Sequence, residues 1–160
     1  MSFLRFLMLL ALVVWIGGII FFAFVEAPTL FIVLPTTRLA GDVVSVSSTK
    51  LHWIGLISGA AFLICSLLYN QLKYARPKAF AASHLLVLLM LVLTAIFQFR
   101  VTPKMRDLRA AMQAGDKLPG DNSRLEFDRL HAWSTRLEGG VLFLGLGVML
   151  LTTRRFGNSN

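Results

Sequence analysis

Residues 51–63 read LHWIGLISGAAFL, and residues 130–144 read LHAWSTRLEGGVLFL. Each stretch begins with Leu-His, continues with a Trp, and reaches a pair of small residues six positions after that Trp. A second shared phrase, F-x-F-x-x-[AT]-P, lies upstream of each stretch, at residues 22–28 and at residues 97–103. In both halves the phrase ending in Pro falls near the end of one apolar segment, and Leu-His falls near the start of the next.

This pattern predicts an internal duplication of a helical hairpin. The halves would be residues 1–75 and 76–156 of a single transmembrane domain that covers residues 1–160. A hairpin that crosses a membrane twice returns to its own side, so the two halves would share an orientation about an axis along the membrane normal. Chance similarity between two apolar hairpins is the alternative interpretation.

The composition is typical of a membrane protein. The apolar fraction is 56% and the mean hydropathy is +0.71, both beyond the range of a soluble domain. Four segments, at about 3–25, 51–72, 79–99 and 137–153, approach the roughly 20 apolar residues that a membrane-spanning helix needs. We therefore predict an all-α fold, an integral membrane four-helix bundle made of two similar hairpins.

The amino-terminal segment is similar to a signal peptide because Arg5 precedes an apolar run. That run extends over roughly 20 residues, whereas the apolar region of a signal peptide has about 7–15. Pro28 directly follows the candidate cleavage site at residues 25–27. We therefore predict an uncleaved first membrane helix.

The formal net charge of +8 would suggest a nucleic-acid partner for a soluble protein, but its distribution favours a membrane. Six cations lie on the side of a four-helix bundle that holds both termini: Arg5, Lys73, Arg76, Lys78, Arg154 and Arg155. Because short basic loops mark the cytoplasmic face, we predict cytoplasmic termini in a bacterial-type inner membrane. The expected partner is the lipid bilayer, with no nucleic acid.

The connection between the first two helices is rich in Ser and Thr. Residues 36–49 are predicted to form an outer loop after Pro35, and the second helix is predicted to open at Thr49 or Lys50.

The second hairpin is predicted to be longer than the membrane is thick. Residues 103–114 have amphipathic helical spacing, so the third helix should continue beyond the membrane. A turn follows at residues 115–120, and Ser123-x-x-Glu126 resembles a capping box that starts the fourth helix. From about residue 123 to residue 153 that helix would measure roughly 45 Å, against a hydrocarbon core of roughly 30 Å.

Small residues indicate where helices approach one another closely. The predicted packing positions are Gly17, Gly18, Gly55, Gly59, Gly139 and Gly140. Packing inside this bundle is the preferred interpretation, and a homo-oligomer seam is the alternative. The single cysteine, Cys65, is predicted to be a packing residue.

Polar residues collect at the end of the bundle opposite the termini. The candidate cluster comprises Glu26, His52, Arg100, Asp128, His131, Arg136 and Glu138. Asp128, His131, Thr135 and Glu138 are spaced i, i+3, i+7 and i+10, which places them on one face of the fourth helix. Ionisable groups below the membrane surface are costly and usually face a partner or a cavity.

Three interpretations of this cluster remain open. In the first, the carboxylates pair with arginines, and His52 and His131 are hydrogen-bonded interfacial residues. In the second, His52 and His131 bind a transition metal together with a carboxylate. In the third, they are axial ligands of a b-type haem. The paired Glu-x-x-His motif of a di-iron bundle is missing from the sequence.

These features favour a non-enzymatic membrane protein that binds or passes a small ligand, or scaffolds a partner, through the polar outer end. A metal- or haem-binding protein is the second interpretation; our first expectation is that the protein binds no cofactor. An enzyme comes third, because no nucleophile–base pair is recognisable and only Asp128–His131 resembles an acid–base pair. We predict no catalytic residue.

Several short phrases resemble one known family. They are WIGGIIFF at 15–22, APTLF at 27–31, LH at 51–52, PKMRDLR at 103–109 and LH at 130–131. In this order they are similar to the uncharacterised membrane-protein family that includes eukaryotic transmembrane protein 205, a domain of unknown function. The resemblance implies a four-helix integral membrane protein. It supplies no established activity and no catalytic residues.

Overall fold

The computed structural model describes residues 2–74, 82–114 and 122–157, and every element within these ranges is helical. In chain order the elements are α1 (Ser2–Phe21), the π-helical segment π1 (Phe22–Glu26), α2 (Ala27–Val33), α3 (Thr37–Tyr74), α4 (Ala82–Ile96), the π-helical segment π2 (Phe97–Val101), α5 (Thr102–Ala114) and α6 (Ser123–Gly157). Within these ranges, four stretches are long and apolar enough to cross a membrane: Ser2–Val33, Thr37–Leu72, Ala82–Met112 and Arg124–Arg154. The predicted four spanning helices are confirmed.

The four spans form one bundle around an apolar core. The first span packs mainly against α3, and α4 packs against α6, while contacts of α3 with α4 and of α1 with α6 close the ring. Trp15, Phe62, Val87, Met90 and Val148 are almost fully buried at its centre. Large apolar side chains also cover the outside of the spans, as expected for helices that face lipid. The fold is an integral membrane four-helix bundle.

The predicted outer loop at residues 36–49 is wrong, because α3 is a continuous helix of 38 residues from Thr37. Thr36 starts it: the Leu39 amide donates to Thr36 Oγ1 at 3.2 Å, and the Ala40 amide donates to the Thr36 carbonyl at 3.1 Å. Ser and Thr have modest helix propensity, and the bond from Thr49 Oγ1 to the Ser45 carbonyl at 2.8 Å satisfies the hydroxyl without strengthening the helix. Packing of Ala40 and Val44 adds tertiary contacts that offset the weak propensity.

The predicted extension of the third and fourth helices is confirmed. After π2, α5 continues to Ala114, and α6 runs for 35 residues from Ser123. The predicted turn at residues 115–120 and the side chain of Ser123 lie outside the described residues, so the capping box stays a prediction. Since α3 also begins far from the membrane centre, both hairpins contribute helix to the outer end.

Both F-x-F-x-x-[AT]-P phrases form a π-helical segment just before their proline. A proline inside a helix lacks the amide donor, and its ring clashes with the carbonyl four residues earlier. The wider π-turn accommodates this: the amides of Ala27 and Thr102 donate to the carbonyls of Phe22 and Phe97, five residues earlier. The two phrases thus share a local conformation, and the duplication itself stays a prediction.

Trp15 occupies the space that two glycines leave open on α3. A Cβ atom at Gly59 would lie 2.6 Å from Trp15 Cζ3, and one at Gly55 would overlap the same indole ring. A Cβ at Gly18 would lie 2.8 Å from Leu51 Cδ1. For Gly17, Gly139 and Gly140, no atom of the described chain lies within 4 Å of the added Cβ, so close packing inside the bundle does not require them to be glycine.

Candidate functional site

Some residues of the predicted polar cluster are in side-chain contact in the structure, and others are not. His52 and Glu138 meet inside the bundle, with 3.7 Å between Nε2 and Oε1. Glu26 is half-buried, and Arg100 and Arg136 are exposed. None of these three lines either of the two cavities described below.

His52 is the centre of a buried polar contact between three elements. It lies on α3 and is 6% exposed, and its Nδ1 is 3.0 Å from Oε1 of Gln98 on π2. Phe97 packs edge-on to the imidazole, with 4.4 Å between ring centroids. Because the Gln98 oxygen is an acceptor, this hydrogen bond places a proton on Nδ1. The other ring nitrogen, Nε2, faces the Glu138 carboxyl group at 3.7 Å.

A small inner pocket lies beside this pair. Its volume is about 20 Å³, and Trp15, Leu51, Thr94 and Val141 contribute to its wall together with His52 and Glu138. A buried water needs roughly 10–15 Å³ and two to four polar partners. Glu138 Oε1 is buried and has no hydrogen-bond partner among the described residues. The inner pocket is therefore suited to one water molecule between Glu138 and His52.

A much larger outer cavity of about 630 Å³ lies between α2, α3, α5 and α6. The four residues predicted to share one face of α6 all line it: Asp128, His131, Thr135 and Glu138. An apolar wall is formed by Phe22 on π1 and by Ala27 and Phe31 on α2, whereas α3 contributes Val44 together with mainly polar residues. Met105, Met112 and Phe127 line the side formed by α5 and α6. Glu138 and Phe97 line both the inner pocket and the outer cavity.

Arg109 is held against α3 at the outer cavity. Its Nη1 donates to the Gly41 carbonyl at 2.5 Å and lies 3.5 Å from Oδ1 of Asp42. The guanidinium carbon is 5.4 Å from the centroid of the Phe127 ring. A Cβ at Gly41 would lie 3.2 Å from Arg109 Nη2, so the glycine makes room for the guanidinium. The sequence signal for this contact was weak, a lone glycine within a Ser/Thr-rich run.

His131 does not join His52 in any described contact. It is exposed and stacks on Phe127, with 6.3 Å between ring centroids and 3° between the ring planes. The hydroxyls of Ser134 and Thr135 donate to its carbonyl at 2.7 and 3.0 Å. Across the described ranges, no three His, Cys, Asp or Glu side chains lie close enough together to hold a metal ion.

A second buried polar group, not predicted from the sequence, lies at the end that holds the termini. Tyr69, near the end of α3, is 1% exposed. Arg5 donates to its hydroxyl from Nε at 3.1 Å and from Nη2 at 2.7 Å. Ser66, about one turn of α3 earlier, and Asn70, the next residue, are fully buried. The spacing of residues 66, 69 and 70 along one helical face was the available signal.

Four spanning helices and an all-helical fold define the class as polytopic integral membrane proteins. A family model described as "Domain of unknown function (DUF4149)" matches residues 10–114, from the first span through α5. The chain belongs to that family. No curated protein and no solved structure matches this chain.

Proposed function

We propose that this protein is a non-enzymatic membrane protein that binds a small ligand in the outer cavity. The observation that carries the proposal is the cavity itself, which has a volume of about 630 Å³, a mainly polar lining on α6 and α3, and an apolar wall on π1 and α2. Ligand pockets typically have volumes of roughly 300–1,000 Å³, with mostly apolar linings and a few polar groups that fix orientation.

The position of the cavity supports binding from the membrane surface. Its lining on α6 runs from Arg124 in the first turn of that helix to Glu138, and the apolar core residue Val141 follows less than one turn later. The cavity therefore lies at the end of the bundle away from the termini, where a ligand can enter from water or from the lipid surface.

Filling the cavity tests the proposal. Ser45 lines the cavity, whereas its neighbour Val46 is 56% exposed and does not. Ser45→Trp places an indole in the cavity, and Val46→Trp places the same side chain outside it. Native mass spectrometry of the full chain in an uncharged detergent is expected to detect a co-purifying small molecule with the wild type and Val46→Trp, but not with Ser45→Trp. If the same species co-purify with both variants, or none with any of the three, the cavity is not a binding site.

The alternative is a metal ion or a b-type haem held by His52 and His131. His52 uses Nδ1 for Gln98 and turns Nε2 towards Glu138, so a ligand bond from His52 would replace one of these contacts. Metal analysis and an absorption spectrum of the purified protein separate the two proposals. A stoichiometric metal or a Soret band that is lost in both His52→Ala and His131→Ala would support the alternative.

The cytoplasmic position of both termini, the bacterial-type inner membrane and a closer relationship to eukaryotic transmembrane protein 205 stay predictions. Scaffolding of a partner and assembly into a homo-oligomer also stay proposals.

A further inference from the structure

We propose that the ligand of the outer cavity is a single-chain anionic amphiphile, such as a long-chain carboxylate, whose charged group lies at the outer mouth. This inference rests on the proposed function, because it names the chemical class of the ligand for the same cavity. Three observations support it: where the arginines lie, how Arg109 is held, and how the apolar wall is arranged.

Positive charge is concentrated at the mouth of the cavity. Arg38 lies in the first turn of α3, Arg124 lies in the first turn of α6, and Arg109 is on the last turns of α5. Those helix ends all lie on the outer side of the bundle, so the three arginines of the lining share that side. The acidic residues of the lining, Asp128 and Glu138, follow Arg124 one turn and four turns further into α6.

Arg109 is oriented before any ligand arrives. The Gly41 carbonyl and Asp42 hold Nη1, while Phe127 packs near the guanidinium. A guanidinium has five N–H donors in a fixed planar fork that matches the geometry of a carboxylate. The donors on Nε and Nη2 therefore remain for an anionic group, and little side-chain freedom is lost when it binds.

The apolar wall of the cavity suits an aliphatic chain. Phe22, Ala27 and Phe31 on π1 and α2 form it, and Phe97 adds an apolar residue beside the inner pocket. The charged group is placed at the mouth because the three arginines of the lining lie there, whereas the inner end of the α6 lining carries the acidic residue Glu138. A volume of about 630 Å³ falls within the range for one drug-sized ligand, which favours one chain over the two chains of a phospholipid.

The experiment compares head groups on one chain length. Full-length protein in an uncharged detergent binds dansyl-labelled undecanoate, and the displacing compounds are dodecanoate, dodecanol and dodecyltrimethylammonium. Dodecanoate is expected to displace the probe at concentrations at least about tenfold lower than the other two, the ratio that corresponds to 1.4 kcal/mol. Hydrogen bonds to charged groups contribute at about this level.

Arginine variants locate the charged group. Arg109→Gln and Arg124→Gln are each expected to weaken dodecanoate binding about tenfold. Arg106→Gln and Arg129→Gln remove a charge from the same two helices at exposed positions outside the cavity lining, and are expected to leave the affinity within about twofold. Loss of binding in Arg109→Gln with unchanged affinity in Arg124→Gln would contradict a shared anion site at the mouth.

The outcomes separate this inference from the proposed function. If dodecanol binds as tightly as dodecanoate, and Ser45→Trp abolishes the binding of both, the cavity binds ligand but the anionic class is wrong. If phosphatidylglycerol or inorganic phosphate displaces the probe where dodecanoate does not, the site recognises phosphate and the carboxylate proposal is overturned. If the dansyl probe does not bind to the wild type, or binds equally well to the wild type and to Ser45→Trp, both proposals fail.

Discussion

The contact between Trp15 and Gly59 allows a quantitative test of the packing. In Gly59→Ala, the new Cβ would lie 2.6 Å from both Trp15 Cζ3 and Leu91 Cδ2, closer than carbon atoms can approach without displacement. Overpacking a well-packed core costs about 1–3 kcal/mol. Replacing Gly by Ala inside a helix contributes about 0.8–1.0 kcal/mol in the opposite direction. The net change in the free energy of unfolding is therefore the difference between a steric cost and a helix-propensity gain.

Gly139→Ala is the matched control without a steric cost, because its Cβ meets no atom of the described residues within 4 Å. The helix-propensity gain is common to both variants and cancels when they are compared. Gly59→Ala should therefore unfold with a free energy about 1–3 kcal/mol lower than Gly139→Ala. Thermal unfolding followed by circular dichroism in one detergent measures this, at about 2–4 °C in Tm per kcal/mol for a chain of this size.

A second substitution tests the identity of the neighbour. Trp15→Phe removes the part of the indole that contains Cζ3, so the Gly59→Ala substitution should cost less in that background. A double-mutant cycle is expected to give a coupling energy of about 0.5–3 kcal/mol. Equal Tm values for Gly59→Ala and Gly139→Ala, together with zero coupling to Trp15→Phe, would refute the reasoning.

Three further predictions concern the polar residues and the orientation. Gln98→Leu removes the acceptor for buried His52 Nδ1 and is expected to cost about 1–3 kcal/mol in the free energy of unfolding, measured by denaturant titration; an unchanged midpoint would contradict the hydrogen bond. Arg5→Leu removes two donors from the buried Tyr69 hydroxyl and is expected to lower the free energy of unfolding by about 1–3 kcal/mol, measured in the same way; an unchanged midpoint would contradict these hydrogen bonds. In an otherwise cysteine-free chain, Asn122→Cys should react with a membrane-impermeant thiol reagent added to intact cells, whereas labelling only after lysis would place the outer end in the cytoplasm.

The sequence predicted the spans and one wall of the cavity because both depend on local spacing. Apolar runs of nearly 20 residues fix where the spans lie. The i, i+3, i+7, i+10 spacing of Asp128, His131, Thr135 and Glu138 requires one helical face whatever packs against it, and all four residues line the outer cavity. These features need no knowledge of tertiary contacts.

The features missed from the sequence depend on which residues of distant helices meet. Residues 36–49 have weak helix propensity, and their helical state rests on contacts such as that of Gly41 with Arg109, 68 positions away. Gln98 was not singled out, because its role appears only when π2 packs beside His52 on α3. Arg5 was interpreted as a topology signal, and its hydrogen bonds to Tyr69 span 64 positions. Periodicity carries no information about such pairs.

The π-helical segment ahead of Pro103 sets the rotational phase between the lower and upper parts of the third span. One residue corresponds to about 100° of rotation around a helix axis. With the extra residue of π2, the third span directs Gln98 towards His52 and, about two turns beyond Thr102, directs Arg109 towards Gly41. Deleting a single residue of π2 would leave the length of the span almost unchanged, but it would rotate α5 about its own axis by about a quarter of a turn. The Arg109 guanidinium would then point away from the outer cavity that it now lines.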